Sequence, residues 1–155
     1  MNIESGFSQV AQSLLWPVLV LVGLAFVYAL WSGGATLMEA WQRWRQPQYR
    51  SLRVAPGLSM EELELQLVRQ VEPVRLLSRL SPMLGLIATM IPMGPALKSL
   101  SDGNLAQVSE NLTIAFSAVI LALIAASITY WVVNVRRRWL AEELLEIEAL
   151  RSQQA

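Results

Sequence analysis

Three apolar runs divide this chain, and the polar stretches between them differ sharply in charge. The first, LLWPVLVLVGLAFVYALW from Leu14 to Trp31, has no polar face and approaches the ~20 residues a helix needs to cross hydrocarbon. Trp16 at one end and Tyr28 and Trp31 at the other stand where aromatic rings favour the membrane interface. A first span is predicted over residues 14–32. The clearest run, Leu112 to Val133, holds no charge and ends at Arg136-Arg137-Arg138. It predicts a span over 112–134.

The middle run, 81–97, differs in kind. It carries Pro82, Gly85, Thr89, Pro92, Gly94 and Pro95. Each interior proline removes a backbone donor and crowds the preceding turn. In lipid the freed carbonyls must be satisfied by neighbouring helices, hydroxyls or water. Such a span is expected to be enclosed by protein or to line something wet. At 100° per residue, Pro82, Gly85, Thr89, Met93 and Ala96 share one thin side. That side reads as a lining face with one hydroxyl, and Pro82, Gly85 and Pro92 as its kink and shape positions.

The last span has two unlike faces. Thr113, Ser117, Ser127 and Asn134 fall within about 60° of one direction, with Glu110 at the mouth. Ala115, Ala118, Ala122, Ala125 and Ala126 lie opposite. Small residues let helix backbones approach closely in lipid, so Ala118, Ala122 and Ala125 are expected packing positions. Thr113, Ser117, Ser127 and Glu110, with Thr89, are then candidates to line an ion pathway. A second reading is that each hydroxyl merely bonds back to its own i−4 carbonyl, which the alignment of several on one face, with Glu110 at the mouth, disfavours for the set. A hydroxyl-lined path without an ionisable group cannot itself hold a proton. If ions move here, the carboxylate must come from a partner.

The polar stretches set the orientation. Residues 1–13 contain no Lys or Arg and lack the basic region of a signal peptide; they form an external N-terminal segment. Residues 33–80 are arginine-rich and read as a cytoplasmic amphipathic segment. In it Trp41, Arg43, Trp44 and Arg45 suit a helix lying near lipid headgroups, and a nucleic-acid role for this patch is not favoured. Pro47 to Leu58 reads as a linker. Ser59 with Glu62 has the capping-box spacing, and Leu63, Leu67, Gln70, Val74 and Leu77 follow at helical spacing, either to pack against neighbouring subunits or to serve as a solvated lead-in to the second span, with a kink at Pro73. Residues 98–111 form an external loop turning at Asp102-Gly103. Residues 135–155 are a cytoplasmic C-terminal helix, anchored by Arg136, Arg137 and Arg138. Its Leu140, Leu144 and Ile147 make a stripe suited to bundling with copies of itself. Only Lys98 lies among the cations outside 32–80 and the tail, so the positive-inside rule places the N-terminus outside and the C-terminus inside.

Composition narrows the chemistry. Hydrophobic residues make up 54% and charged residues 15%, against a usual charged share of about 25%. With no Cys and no His, thiol redox chemistry, Cys/His zinc sites and His-dependent triads are excluded. A carboxylate-only metal site is left, but no acidic cluster sits at ligand spacing within an apolar run. The expectation is an all-α membrane protein, not an enzyme, with no metal and no cofactor.

The segment SPMLGLIATMIPM (81–93), followed by SENLTIAFSAVILALIAASITYWVVNVRRR (109–138), resembles the MotA/TolQ/ExbB proton channel family. Pro82, Leu84, Gly85, Leu86 and Thr89 match a P-x-L-G-L-x-G-T-V pattern; Glu110 and Leu112 match the start of x-E-A-L-x-x-T-x-x-G-L. The resemblance implies a shortened member of the TolQ/ExbB branch, multi-pass in a bacterial or archaeal cytoplasmic membrane. It implies a homopentamer whose second and third spans ring a central pore. Two copies of a single-span partner would sit in that pore, each bringing an intramembrane Asp, and H+ or Na+ flow would drive work on that partner. By position Thr89 would face the Asp and Glu110 would guard the outer mouth. The chain departs from the pattern at Ala88, Ala115 and Ala118, and Pro92 and Pro95 are additional. A non-conducting membrane scaffold is the competing reading.

Overall fold

The computed structural model describes residues 3–45 and 60–152. They form α1 (Ile3–Ser13), α2 (Leu15–Arg45), α3 (Met60–Ser101) and α4 (Leu105–Ser152). Three helical stretches, Gln9–Arg45, Glu61–Ser101 and Leu105–Leu150, are long and apolar enough to cross a membrane. The apolar runs mark the middles of these helices and not their ends, because a helix persists after its side chains become polar. Thus α2 passes through Gly33-Gly34 to Arg45, and residues 98–111 are helical except at 102–104. The linker expected at 47–58, and Ser59 of the capping box, lie outside the described residues.

The break between α1 and α2 has a local cause. Pro17 has no N–H to give the carbonyl four residues back, at Ser13. The ladder loosens there, and the Leu14 N–H is shared between the Val10 and Ala11 carbonyls at 3.1 and 3.2 Å. A proline in the first turn of α2 removes a donor that would be orphaned anyway.

The turn between α3 and α4 is fully specified. Gly103 has φ +74°, a conformation that glycine adopts without Cβ strain. Its N–H reaches the Leu100 carbonyl (3.1 Å) and the Asn104 N–H reaches Ser99 (2.9 Å), together a Schellman closure of α3. Asn104 then caps α4: its Oδ1 accepts from the Gln107 N–H, and its Nδ2 donates to Gln107 Oε1, both at 3.2 Å. Three residues therefore suffice to reverse the chain, and α3 and α4 become a tight antiparallel hairpin.

Along that hairpin α3 runs helical through Pro73, Pro82, Pro92 and Pro95. Its inner edge, Ser81, Gly85, Ala88, Pro92, Ala96 and Ser99, is buried. Below the apolar run, Leu63, Val71 and Val74 of α3 join Val132, Val133, Leu140 and Ile147 of α4 in one core, flanked by Leu67 and Leu144. The amphipathic start of α3 and the stripe on the tail, expected to meet neighbouring subunits or copies of themselves, instead cover each other within one chain. A tight hairpin puts its two stripes at the same height, so the nearest apolar partner is intramolecular. Outside lipid each fully buried aliphatic side chain contributes about 1.5–3 kcal/mol, enough to keep this extension closed.

Helix α2 lies parallel to α4. Val18, Val22, Ala25, Ala29, Ser32, Gly33 and Thr36 form its buried stripe at the i, i+3, i+4 spacing of one helix face. At one end Val18 meets Ala88 and Ala118. Further along, Gly33 lies so near α4 that a Cβ there would stand 2.9 Å from Ile128 Cγ2.

Candidate functional site

The hairpin seam explains the small residues of both spans. A Cβ on Gly85 would lie 2.9 Å from Ala122 Cβ and 3.3 Å from Val119 Cγ2, so the backbones approach as closely as glycine permits. Ala88 and Ala125 are wholly inaccessible, and Ala115, Ala118, Ala122 and Ala126 are buried beside them. The thin side of α3 is divided by this contact. Gly85 and Ala96 are buried, Pro82 and Thr89 are half-buried at its flank, and Met93 is exposed. The buried stripe centres about 60° from the thin side, because α4 selects the backbone positions it can touch and not the hydroxyl.

On α4, Glu110, Thr113, Ser117, Ser127 and Asn134 are exposed, on the side away from the buried alanines. Each hydroxyl donates inward to its own helix: Thr113 Oγ1 to Ser109, Ser117 Oγ to Thr113 and Ser127 Oγ to Leu123, all at 2.8 Å. Thr89 Oγ1 likewise donates to the Leu86 carbonyl at 2.7 Å. A hydroxyl oxygen so engaged still offers lone pairs outward. The row is not continuous, since Ile120 and Ile124 stand exposed between Ser117 and Ser127. Ser127 opens on a separate apolar groove of about 530 Å³ between α2 and α4, beside Gly33, Gly34 and Trp131. Thus Gly85 meets Ala122 and Ala118 meets Ala88, whereas Thr89 makes no hydrogen bond to the α4 hydroxyls among the described residues.

The candidate surface anchors separate into two groups. Trp44 is 83% exposed, Trp41 is exposed with the Arg45 guanidinium 4.5 Å from its ring centre, and Arg137 is exposed. Arg138 points outward and pairs with Glu142 at 3.0 Å. Arg43 and Arg136 turn inward. Arg43 binds Glu39 (3.1 Å) and Glu143, and stacks 4.7 Å from the Trp139 ring centre. Arg136 donates from Nε to Thr36 Oγ1 (3.2 Å) and approaches Glu39 at 4.0 Å. Thr36 in turn donates to Ser32. Glu39, Thr36 and Glu143 escaped the sequence reasoning, yet a signal existed. Residues 29, 32, 36, 39 and 43 continue one stripe of α2, and 132, 136, 140, 143 and 147 continue one stripe of α4. Charges of both signs on two packing stripes mark an interhelical ion network.

No acidic or basic side chain occurs from Leu14 to Met38, from Leu80 to Leu97 or from Asn111 to Val135. An antiparallel hairpin with a third helix alongside, all three with charge-free middles and with a charged network at one end, defines a multi-pass, all-helical membrane protein. The description of the MotA/TolQ/ExbB proton channel family matches residues 37–149, most of the chain and nearly all of the hairpin. The chain belongs to that family. No curated protein and no solved structure matches it.

Proposed function

We propose that this protein is the pore-forming subunit of an ion-driven membrane motor of the TolQ/ExbB type, with the proton as the ion. It is non-enzymatic and needs no cofactor. It assembles as a homopentamer in the cytoplasmic membrane, N-terminus outside, around two copies of a single-span partner that each carry an Asp. One observation carries this reading. The alanine side of α4 is taken up by packing within the chain, while Thr113 and Ser117 are left outward on a span without any acid of its own. Their protons are held by backbone carbonyls, so their oxygens act as acceptors toward anything beside them. A protonated partner Asp can donate to such an oxygen; an ionised one cannot, and it favours water at the mouths. Protonation at one mouth and release at the other would therefore alternately hold and free the partner helix.

The test is proton flux in vesicles containing the chain and its partner, followed with an internal pH dye. Thr89→Val and Ser117→Ala are expected to lower partner-dependent flux at least tenfold without changing the mass of the native assembly. Undiminished flux in both variants would refute the reading. A scaffold without conduction is favoured by a different observation, the exposed Ile120 and Ile124 that interrupt the hydroxyl row. It requires both variants to be silent, while Ala118→Leu or Ala122→Leu disrupts assembly.

A further inference from the structure

We propose that the hairpin carries a binding site for an anionic phospholipid where α3 and α4 leave their apolar runs. A groove of about 320 Å³ lies there between the two helices, lined by Arg75 and Arg79 of α3 and Arg137 of α4. All three arginines are exposed, and none is in an ion pair among the described residues. Arg43, Arg136 and Arg138 nearby in sequence or space are all paired with carboxylates. Glu72 also lines the groove, leaving an excess of two positive charges facing a single phosphodiester.

Height along the helices identifies the ligand. Arg79 immediately precedes Leu80, where the charge-free run of α3 begins, and Arg137 follows shortly after Val135, where that of α4 ends. With those runs in hydrocarbon, the three guanidiniums sit at the level of lipid phosphates. Basic pockets between membrane helices bind anionic headgroups, and a guanidinium presents paired donors that match a phosphate. From the groove an apolar track leads toward the membrane centre: Leu76, which lines it, then Leu80, Met83 and Ile87, all exposed at i, i+4, i+7 and i+11. A free phosphate would have no use for that track; an acyl chain fits along it. The Arg stems add further apolar surface beneath their charged heads. The proposal does not depend on whether the protein conducts ions.

The test is a lipid titration of the full-length protein purified in neutral detergent, read by native mass spectrometry. Dioleoylphosphatidylglycerol is expected to bind in preference to dioleoylphosphatidylcholine. A basic residue near an anionic surface is worth on the order of fivefold in affinity. The variant R75Q/R79Q/R137Q should therefore lose roughly a hundredfold and bind both lipids alike, with its helicity checked by circular dichroism. Glu72→Gln should tighten phosphatidylglycerol binding severalfold, a change of sign that misfolding does not produce. Arg138→Gln, which removes one positive charge just outside the groove, should leave binding as it was. Equal binding of the two lipids to the unmodified protein would overturn the proposal. So would a retained preference in the triple variant, or inorganic phosphate binding as tightly as phosphatidylglycerol.

Discussion

Replacing Gly85 by alanine adds one methyl group at the narrowest point of the hairpin. Unstrained carbon–carbon contacts lie near 3.5–4.0 Å, whereas the new Cβ would meet Ala122 Cβ at 2.9 Å and Val119 Cγ2 at 3.3 Å. Val119 can turn about its side-chain bond, but Ala122 has no such freedom, so the helices must part by roughly 0.6 Å or more. Overpacking of this kind costs about 1–3 kcal/mol, and alanine returns about 0.5–1 kcal/mol of helix preference over glycine. A net loss of about 0.5–2 kcal/mol is expected. Gly23→Ala is the matched control, because nothing lies within 4 Å of a Cβ there; it should stabilise by about 0.5–1 kcal/mol. The same chemical change thus acquires opposite signs at two positions. Reversible unfolding in mixed micelles, followed by helicity, measures both. Ala122→Gly in the Gly85→Ala background removes the clashing methyl, so the pair should couple favourably by about 0.5–2 kcal/mol. If Gly85→Ala matched Gly23→Ala, or if the double variant were simply additive, the close seam would be refuted.

Two further outcomes follow from the same geometry. Arg43→Ala should cost about 1–3 kcal/mol, because it leaves Glu143, whose side chain is only 5% exposed, without this guanidinium. Arg138→Ala should cost no more than about 0.5 kcal/mol, since its pair with Glu142 is solvated; equal losses in thermal unfolding would contradict the inward network. Gly103→Ala should lower stability by about 1 kcal/mol through its positive φ, with Gly103→Asn less affected, and a neutral alanine would argue against the Schellman turn.

Much of the fold was already written in the chain's periodicities. Charge-free runs of about twenty residues can lie only in apolar surroundings, so the three span-capable helices follow from length and composition. The two unlike sides of α4 follow from the 100° advance per residue. The Asp102-Gly103 turn was visible because only glycine takes that backbone conformation cheaply. Helix ends were not visible, since hydropathy reports on solvent while backbone hydrogen bonding ignores it; α2 and α3 therefore overran their apolar runs.

Tertiary structure decided the partners. No one-dimensional pattern states that α2 runs alongside α4 with Thr36 level with Arg136 and Arg43 level with Glu143. That register converts two arginines from surface cations into an interhelical network. It likewise required the hairpin to show that the stripes of the α3 start and the tail close on each other. Which residues on α3 are covered was set by the approach of Ala122 to Gly85, not by the direction of Thr89. Side-chain periodicity tells which residues share a face, but only the packing of helix against helix tells what that face meets.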